Sequence, residues 1–251
     1  MTSSVADHYA NHLASIYSWM AGDFDTACSH ADSFYSAIGL PDGQGRIALD
    51  LGCGHSVHSI PLARRGYRVV ALDTSAHLLN ELSRDAGDLP IKAVCADLTQ
   101  FEVHLGSEKA SLIACMGDTL THLPSCDAVR TLIQDAARNL SPDGLLTYSF
   151  RDYSAHELVG PERFLPVRSD SHRIHTCFLE YRADVVLVHD IIHTLVDSTW
   201  QMAVSAYPKI RLPPKTVVEE VNSQGLSLIY ESVDRGMLYL AFRRSRGSDP
   251  S

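Results

Sequence analysis

Residues 49–59 read LDLGCGHSVHS. Leu49 and Leu51 have the look of a short buried strand, and Gly52 and Gly54 follow two apart, with Asp50 just ahead of the first. A tight strand-to-helix turn needs glycines here for close packing. A dinucleotide site needs them so that backbone can approach a pyrophosphate, but its GxGxxG fingerprint has Val57 at the third glycine, where a bulky side chain keeps the helix away. A phosphate loop ending in GK[ST] fails, because no such triplet follows.

The chain around this stretch sets its context. Val5, Tyr9, Leu13, Ile16, Tyr17 and Met20 recur at helical spacing and predict an N-terminal helix capped by Ser3 or Ser4; a second runs from about Phe24 to Ile38. Short apolar strands then alternate with helices. Strands are predicted at Ile47–Leu51, Arg68–Leu72, Ile91–Cys95, Ser111–Met116 and Leu145–Phe150, the last after a Ser141-Pro142-Asp143-Gly144 turn. Such alternation predicts a mostly parallel sheet covered on both faces. The rhythm breaks after Phe150. Residues 172–207 are rich in β-formers, with turns near Ala183-Asp184 and Asp197-Ser198, and predict three antiparallel strands. Pro213-Pro214 opens a last helix that ends at Gly225, and two strands close the chain.

In a parallel sheet, ligands gather at the carboxyl ends of the strands. Asp50 and the glycines lie at the first such end, Asp73 at the second in VVALDTS, Asp97 after the third in CADLT, and Met116-Gly117-Asp118 after the fourth. One solvated carboxylate at a strand end is ordinary. Several in step with a glycine turn point to a ligand carrying positive charge, a ribose and an adenine. S-adenosylmethionine is such a ligand. It has no phosphate, its sulfonium and ammonium suit Asp50, and its ribose hydroxyls suit an acid at Asp73.

Asp50-Leu51-Gly52-Cys53-Gly54, Asp73, Ala96-Asp97-Leu98 and Leu140-Ser141-Pro142-Asp143-Gly144 together resemble the class I S-adenosylmethionine-dependent methyltransferases. The likeness runs from about Ile47 to Phe150 and resumes in the closing strands. It implies a Rossmann-like α/β fold: a seven-stranded, mostly parallel sheet with one reversed strand and helices on both faces. The antiparallel insertion before the last helix is similar to that of glycine and sarcosine N-methylating enzymes. The cofactor positions implied are Asp50, Gly52, Cys53, Gly54, Asp73, Thr74, Asp97, Leu98, Met116, Gly117, Asp118 and Tyr17. His55-Ser56-Val57 departs from the family pattern, which often has a third alternate glycine, so the second half of the loop is expected to sit differently.

Residues 1–40 are expected to form a helical lid with Tyr9, Tyr17 and Trp19 facing the cofactor. Residues 41–153 and 208–245 would be the core, 154–207 the substrate-side insertion and 246–251 a flexible tail. Methyl transfer needs no protonation of the leaving group, so positioning and water exclusion dominate. Arg151 can clamp a carboxylate. Tyr153 or His122 can orient or deprotonate an acceptor. Tyr9, Arg173, His175, Tyr181, Ser205 and Tyr207 are candidates for the substrate wall.

A length of 251 residues suits one large domain, and 45 % hydrophobic content supplies a core. A net charge of -9 argues against nucleic acid and for a small-molecule substrate. No apolar run is long enough to span a membrane, and the six cysteines form no CxxC pair, so a cytoplasmic monomer or homodimer without a metal is expected. Three other readings stay open: cyclisation or cleavage of S-adenosylmethionine, for example to an azetidine ring with release of methylthioadenosine; a non-catalytic cofactor binder; and a nicotinamide oxidoreductase.

Overall fold

The computed structural model describes residues 5–244. The expected cap at Ser3 or Ser4 and the expected tail at 246–251 lie outside the described residues. The N-terminal segment is not the single helix its periodicity predicts. It breaks into α1 (Val5–His8), a π-helical turn (Tyr9–Leu13), a 3-10 turn (Ala14–Ile16) and α2 (Tyr17–Ala21). Its apolar side chains meet two surfaces at once, since Leu13 and Ile16 pack on Ile192 while Tyr9 and Tyr17 face a cavity. A straight helix offers only one such stripe. Then comes α3 (Phe24–Ala37), capped by Asp23, whose Oδ1 accepts from Thr26 N at 2.8 Å.

The core alternates as the sequence predicts. β1 (Ile47–Leu51), α4 (Ser59–Arg64), β2 (Arg68–Asp73), α5 (Ala76–Ala86), β3 (Ile91–Cys95), a short α6 (Glu102–Leu105), β4 (Ala110–Cys115), α7 (Cys126–Asn139) and β5 (Leu140–Phe150) follow one another. Ser75 and Ser125 cap α5 and α7, accepting from Leu78 N and Ala128 N; each such cap stabilises by about 1 kcal/mol. The Ser141–Gly144 turn is an irregularity inside β5 rather than a break before it. Ala110 pairs with Leu140 and Leu112 with Leu145, so the four residues bulge out of the ladder.

Residues 164–210 form a second sheet of β6 (Phe164–Ser169), β7 (Arg173–Tyr181), β8 (Val185–Val196) and β9 (Thr199–Ile210). Four strands replace the three predicted. β6 is exposed along its whole length and lacks the alternation that marks a half-buried strand. β9 runs past the expected boundary at residue 207. The hairpin turn at Asp197-Ser198 sits where predicted, both residues having positive φ (47° and 62°). Helix α8 (Pro214–Ser223) leads to β10 (Leu226–Asp234) and β11 (Met237–Arg244).

The main sheet has the order β3-β2-β1-β4-β5-β11-β10, with β11 antiparallel to both neighbours. That is the seven-stranded sheet with one reversed strand that the resemblance implies. Alternate side chains fill two cores. Leu49, Leu51, Leu72 and Ile113 pack under α7 and α8, through Leu132, Ile133, Val217 and Val221. Ala48, Val69, Ala71 and Leu112 pack under α3, α4 and α5, through Tyr35, Leu62, Leu79 and Leu82. The small alanines bring α3 close to the sheet, and the loops at the carboxyl ends of β1 to β4 stand free to build a site. No helix among the described residues is long and apolar enough to cross a membrane.

Candidate active site

The loop after β1 is fixed by its own backbone. The amides of Gly52 and Cys53 both donate to Leu72 O, at 2.8 and 2.9 Å, the Gly54 amide donates to Asp73 Oδ2 at 2.9 Å, and the Ser56 amide to Cys53 O at 3.0 Å. Gly52, Gly54 and Ser56 have φ of 74°, 50° and 79°. A Cβ on Gly52 would lie 2.4 Å from Thr119 Cγ2, so glycine is required there. Ser56 stands where the family pattern often has its third alternate glycine. The serine takes the left-handed conformation that a glycine adopts freely. Ser56 is fully buried and its hydroxyl donates to His55 O. His55 packs against Tyr17 and Phe24, with ring centroids 5.2 and 5.8 Å away.

This loop, the ends of β2, β3 and β4, and the N-terminal segment enclose a cavity of about 500 Å³. Its volume is in the range of small-molecule sites. Asp50, Asp73 and Asp97 line it, and no lysine or arginine is among the described residues that do. Burial pushes the Asp50 carboxyl up to about 7, against the Ser59 hydroxyl, which donates to its Oδ2 at 2.6 Å. Asp73 is also raised, again by burial, although it accepts from the amides of Gly54 and Ser75. Asp97 is exposed and caps the 3-10 turn Leu98–Gln100 by accepting from Thr99 N at 2.8 Å. Gly52, Cys53, Gly54, Thr74, Leu98, Met116 and Gly117 complete the lining at the positions singled out from sequence.

Tyr9, Tyr17 and His122 also line the cavity. Tyr17 lies over the loop, its hydroxyl 3.6 Å from where a Gly54 Cβ would be. Tyr9 stands between Tyr17 and His122, with ring centroids at 5.9 and 5.6 Å. Burial lowers His122 to about 3, with Lys209 acting in the same direction, so the ring is neutral at physiological pH. Its Nε2 is buried without a hydrogen-bond partner. Trp19 does not face the cavity. Its Nε1 donates to Asp170 Oδ2 at 2.7 Å, and the Arg173 guanidinium lies 5.0 Å from its ring centroid.

Several sequence-derived candidates lie elsewhere. Asp118 does not line the cavity; its carboxylate takes Lys209 Nζ and Arg151 Nη1, each at 2.7 Å, and the Arg151 amide. Burial would raise this carboxyl, but Lys209 and Arg151 outweigh it and hold Asp118 well below the usual carboxylate range. Arg151 is therefore an ion-pair partner rather than a free clamp. Tyr153 packs with Leu179, Val186, Val188 and Tyr207, its ring beside Lys209 Nζ. Arg173 sits against Trp19, and Tyr181 lies under the Arg211 guanidinium. Ser205 hydrogen-bonds His8 Nδ1 at 2.8 Å. None of Arg151, Tyr153, Arg173, Tyr181 and Ser205 reaches the cavity wall in this state.

Three polar residues escaped the sequence reading: His8, Asp190 and Lys209. All are buried. Asp190 interrupts the apolar run VVLVHDIIHTLV and Lys209 sits near the end of β9, and a lone charge inside a β-forming run is a sign of a buried, paired group. His175, Cys177 and Asp190 each bring a donor atom within 4.8 Å of the others. The set is closed by hydrogen bonds, for His175 Nε2 and Cys177 Sγ both donate to Asp190 Oδ1, at 2.6 and 3.0 Å.

Residues 48–144 match the family described as "Methyltransferase domain". The putative methyltransferase YqeM of Bacillus subtilis is 32% identical over 138 residues, 53% of this chain and 54% of its own length. The glycine/sarcosine N-methyltransferase of Aphanothece halophytica is 25% identical over 189 residues, 74% of this chain and 68% of its own. The chain thus spans about half of the first relative and two thirds of the second. Among solved structures, the CcbJ methyltransferase from Streptomyces caelestis superposes with a TM-score of 0.78 at 20% identity, covering 96% of this chain and 99% of that one.

Proposed function

We propose that this chain, whose residues 48–144 match the methyltransferase domain family and whose fold is that of the class I S-adenosylmethionine-dependent enzymes, transfers a methyl group to a nitrogen or oxygen of a small molecule. The observation that carries this reading is the cavity at the carboxyl ends of the parallel strands, lined by three carboxylates and roofed by Tyr9 and Tyr17. An acidic wall without lysine or arginine among its described residues fits a cationic adenosyl ligand and opposes a pyrophosphate. The glycine loop offers close backbone approach, and the orphaned Nε2 of His122 marks a polar partner that the protein itself does not supply.

S-adenosylmethionine would bring a methyl group activated by its sulfonium. The residues around it would do the rest. Asp73 and Thr74 would hold the ribose, Asp97 and Leu98 the adenine, and Asp50 with the Gly52–Gly54 loop the cationic methionine end, beside Met116 and Gly117. Tyr17 and Tyr9 exclude water, which keeps the acceptor as the sole nucleophile in reach. His122, held neutral, can accept a hydrogen bond from an amine or hydroxyl and so orient the acceptor's lone pair, while burial leaves it too weak a base to keep the proton. Arg151 and Tyr153 would act from behind, through Asp118 and Lys209. Small size of the acceptor agrees with the acidic chain and with the glycine- and sarcosine-methylating relative. All six cysteines are free, which supports a reduced cytoplasmic setting. The chain would act as a monomer or homodimer without nucleic acid or membrane.

Incubation with S-adenosylmethionine, alone and with a panel of small amines and alcohols, tests the reading by mass spectrometry of the products. S-adenosylhomocysteine with a methylated acceptor is the expected result. Methylthioadenosine released without an acceptor would assign cyclisation or cleavage instead. Tight binding with no turnover of any kind would assign a non-catalytic role.

A further inference from the structure

We infer that Asp190 is a positioning residue for this site: from the antiparallel sheet it holds His8 and thereby fixes Tyr9 over the cavity. The inference rests on the reading of the cavity as a cofactor site. Asp190 lies in the middle of β8, between Cys177 of β7 and Ser205 of β9 in the strand register. Its carboxylate is 2% exposed. Oδ1 accepts from His175 and Cys177, both on β7, so that half belongs to the sheet. Oδ2 accepts from His8 Nε2 at 2.8 Å, and that half belongs to the N-terminal segment. His8 is gripped again through Nδ1, which accepts from the Ser205 hydroxyl, and through its ring, 4.2 Å from that of Tyr207. His12 Nε2 donates to the backbone carbonyl of Asp190 at 3.0 Å. Two histidines of the lid thus hold one residue of β8, by its carboxylate and by its carbonyl.

Tyr9 is the next residue after His8 and opens the π-helical turn. Its position over the cavity follows from where His8 is held. The polar character of the grip matters for a roof that must lift to admit a ligand. If α1 swings out, His8 and Asp190 Oδ2 regain hydrogen bonds from water, so opening costs only a modest net loss. Closure nevertheless selects one geometry, because a buried carboxylate left without its third donor is penalised.

The test uses the full-length protein and three variants: His8→Ala, Asp190→Asn and the pair. Calorimetry reads S-adenosylmethionine affinity, and hydrogen–deuterium exchange reads residues 5–21 with and without ligand. His8→Ala and Asp190→Asn are each expected to weaken binding about ten-fold, and the pair no more than the worse single change, because the Nε2–Oδ2 contact is shared by both. Cofactor KM should carry the loss, with kcat at saturation within about two-fold of wild type. Exchange should rise across 5–21 and stay unchanged in β7 to β9. His8→Gln, which keeps a donor for Oδ2, should recover most of the affinity. Additive losses, unchanged exchange at 5–21, or a rise confined to β7–β9 with a lowered Tm would overturn the inference in favour of plain sheet stability. Wild-type protein that fails to bind S-adenosylmethionine would overturn the cofactor reading, while the exchange of 5–21 in ligand-free protein still decides whether Asp190 holds the lid.

Discussion

Lys209 Nζ, near the end of the antiparallel sheet, donates to Asp118 Oδ2, just beyond a central parallel strand, across 2.7 Å. This ion pair ties the two sheets together beside the turn that carries His122. Asp118 has a left-handed φ of 74° and starts that turn, its carbonyl accepting from Thr121 N at 2.9 Å. Replacing Asp118 by Asn strands a buried ammonium and should lower unfolding free energy by about 3–5 kcal/mol in urea titrations at pH 7. Arg151→Ala removes a side chain that is 45% exposed and should cost less than about 1 kcal/mol. Asp118 is held below its unfolded pKa, so its contribution is present above pH ~4 and fades as pH falls through the lower folded value.

Asp50 has the opposite sign. Its folded carboxyl is raised by burial to about 7, so it keeps a proton in the folded state that the unfolded chain has lost. Stability should therefore decline as pH rises from ~4 to ~7, by up to about 1.4 kcal/mol per pH unit. A cationic ligand favours the ionised form, so affinity for S-adenosylmethionine should rise across the same interval. Asp50→Asn should flatten both profiles, read by urea titration and by calorimetry at several pH values. A slope that survives the substitution would move the titration to another group.

His122 can be separated from the cofactor wall by its kinetic signature. Replacing it with Phe should lower kcat about 10²-fold if its Nε2 orients the acceptor. Affinity for S-adenosylmethionine should change little. Because burial holds the ring neutral down to about pH 3, no step near pH 6.5 in the wild-type kcat profile should belong to it. A step there that vanishes in the Phe variant would contradict the assignment.

The glycine loop gives a graded series. Gly52→Ala drives a Cβ into Thr119 and should abolish cofactor binding. Gly54→Ala meets only ordinary contact with Tyr17 but must hold a φ of 50°, and should cost about 1–2 kcal/mol of stability. Ser56→Gly relieves the same strain and should stabilise the fold by about 1 kcal/mol. Thermal unfolding of the three variants checks the order.

Much of the core was legible in the sequence because its signals are local. The strand at Ile47–Leu51, the caps at Ser75 and Ser125 and the hairpin at Asp197-Ser198 each depend on a few neighbouring residues. The acids at the strand ends lay within the same reach, and Asp50, Asp73 and Asp97 come together in one cavity. Asp118 shows where that reasoning stops. It obeys the same rule of position, but its partner is 91 residues away on another sheet. The broken N-terminal helix has the same cause, since its period was readable and the second surface that bends it was not. His8 and Asp190 are separated by 182 residues, and nothing local to either names the other.

The loop that begins at Gly52 carries a selection rule in its main chain. The amides of Gly52, Cys53, Gly54 and Ser56 already donate to Leu72, Asp73 and Cys53. A phosphorylated nucleotide entering here finds those four donors occupied and meets Asp50 and Asp73 in the cavity wall. Each loop amide would have to give up a bond, at about 1 kcal/mol, before it could serve an anion. Discrimination between phosphate-free and phosphate-bearing adenine ligands therefore resides largely in the backbone, since main-chain carbonyls hold three of the four amides and the Asp73 carboxylate holds only that of Gly54, and exchanging Asp73 alone would free one donor of the four.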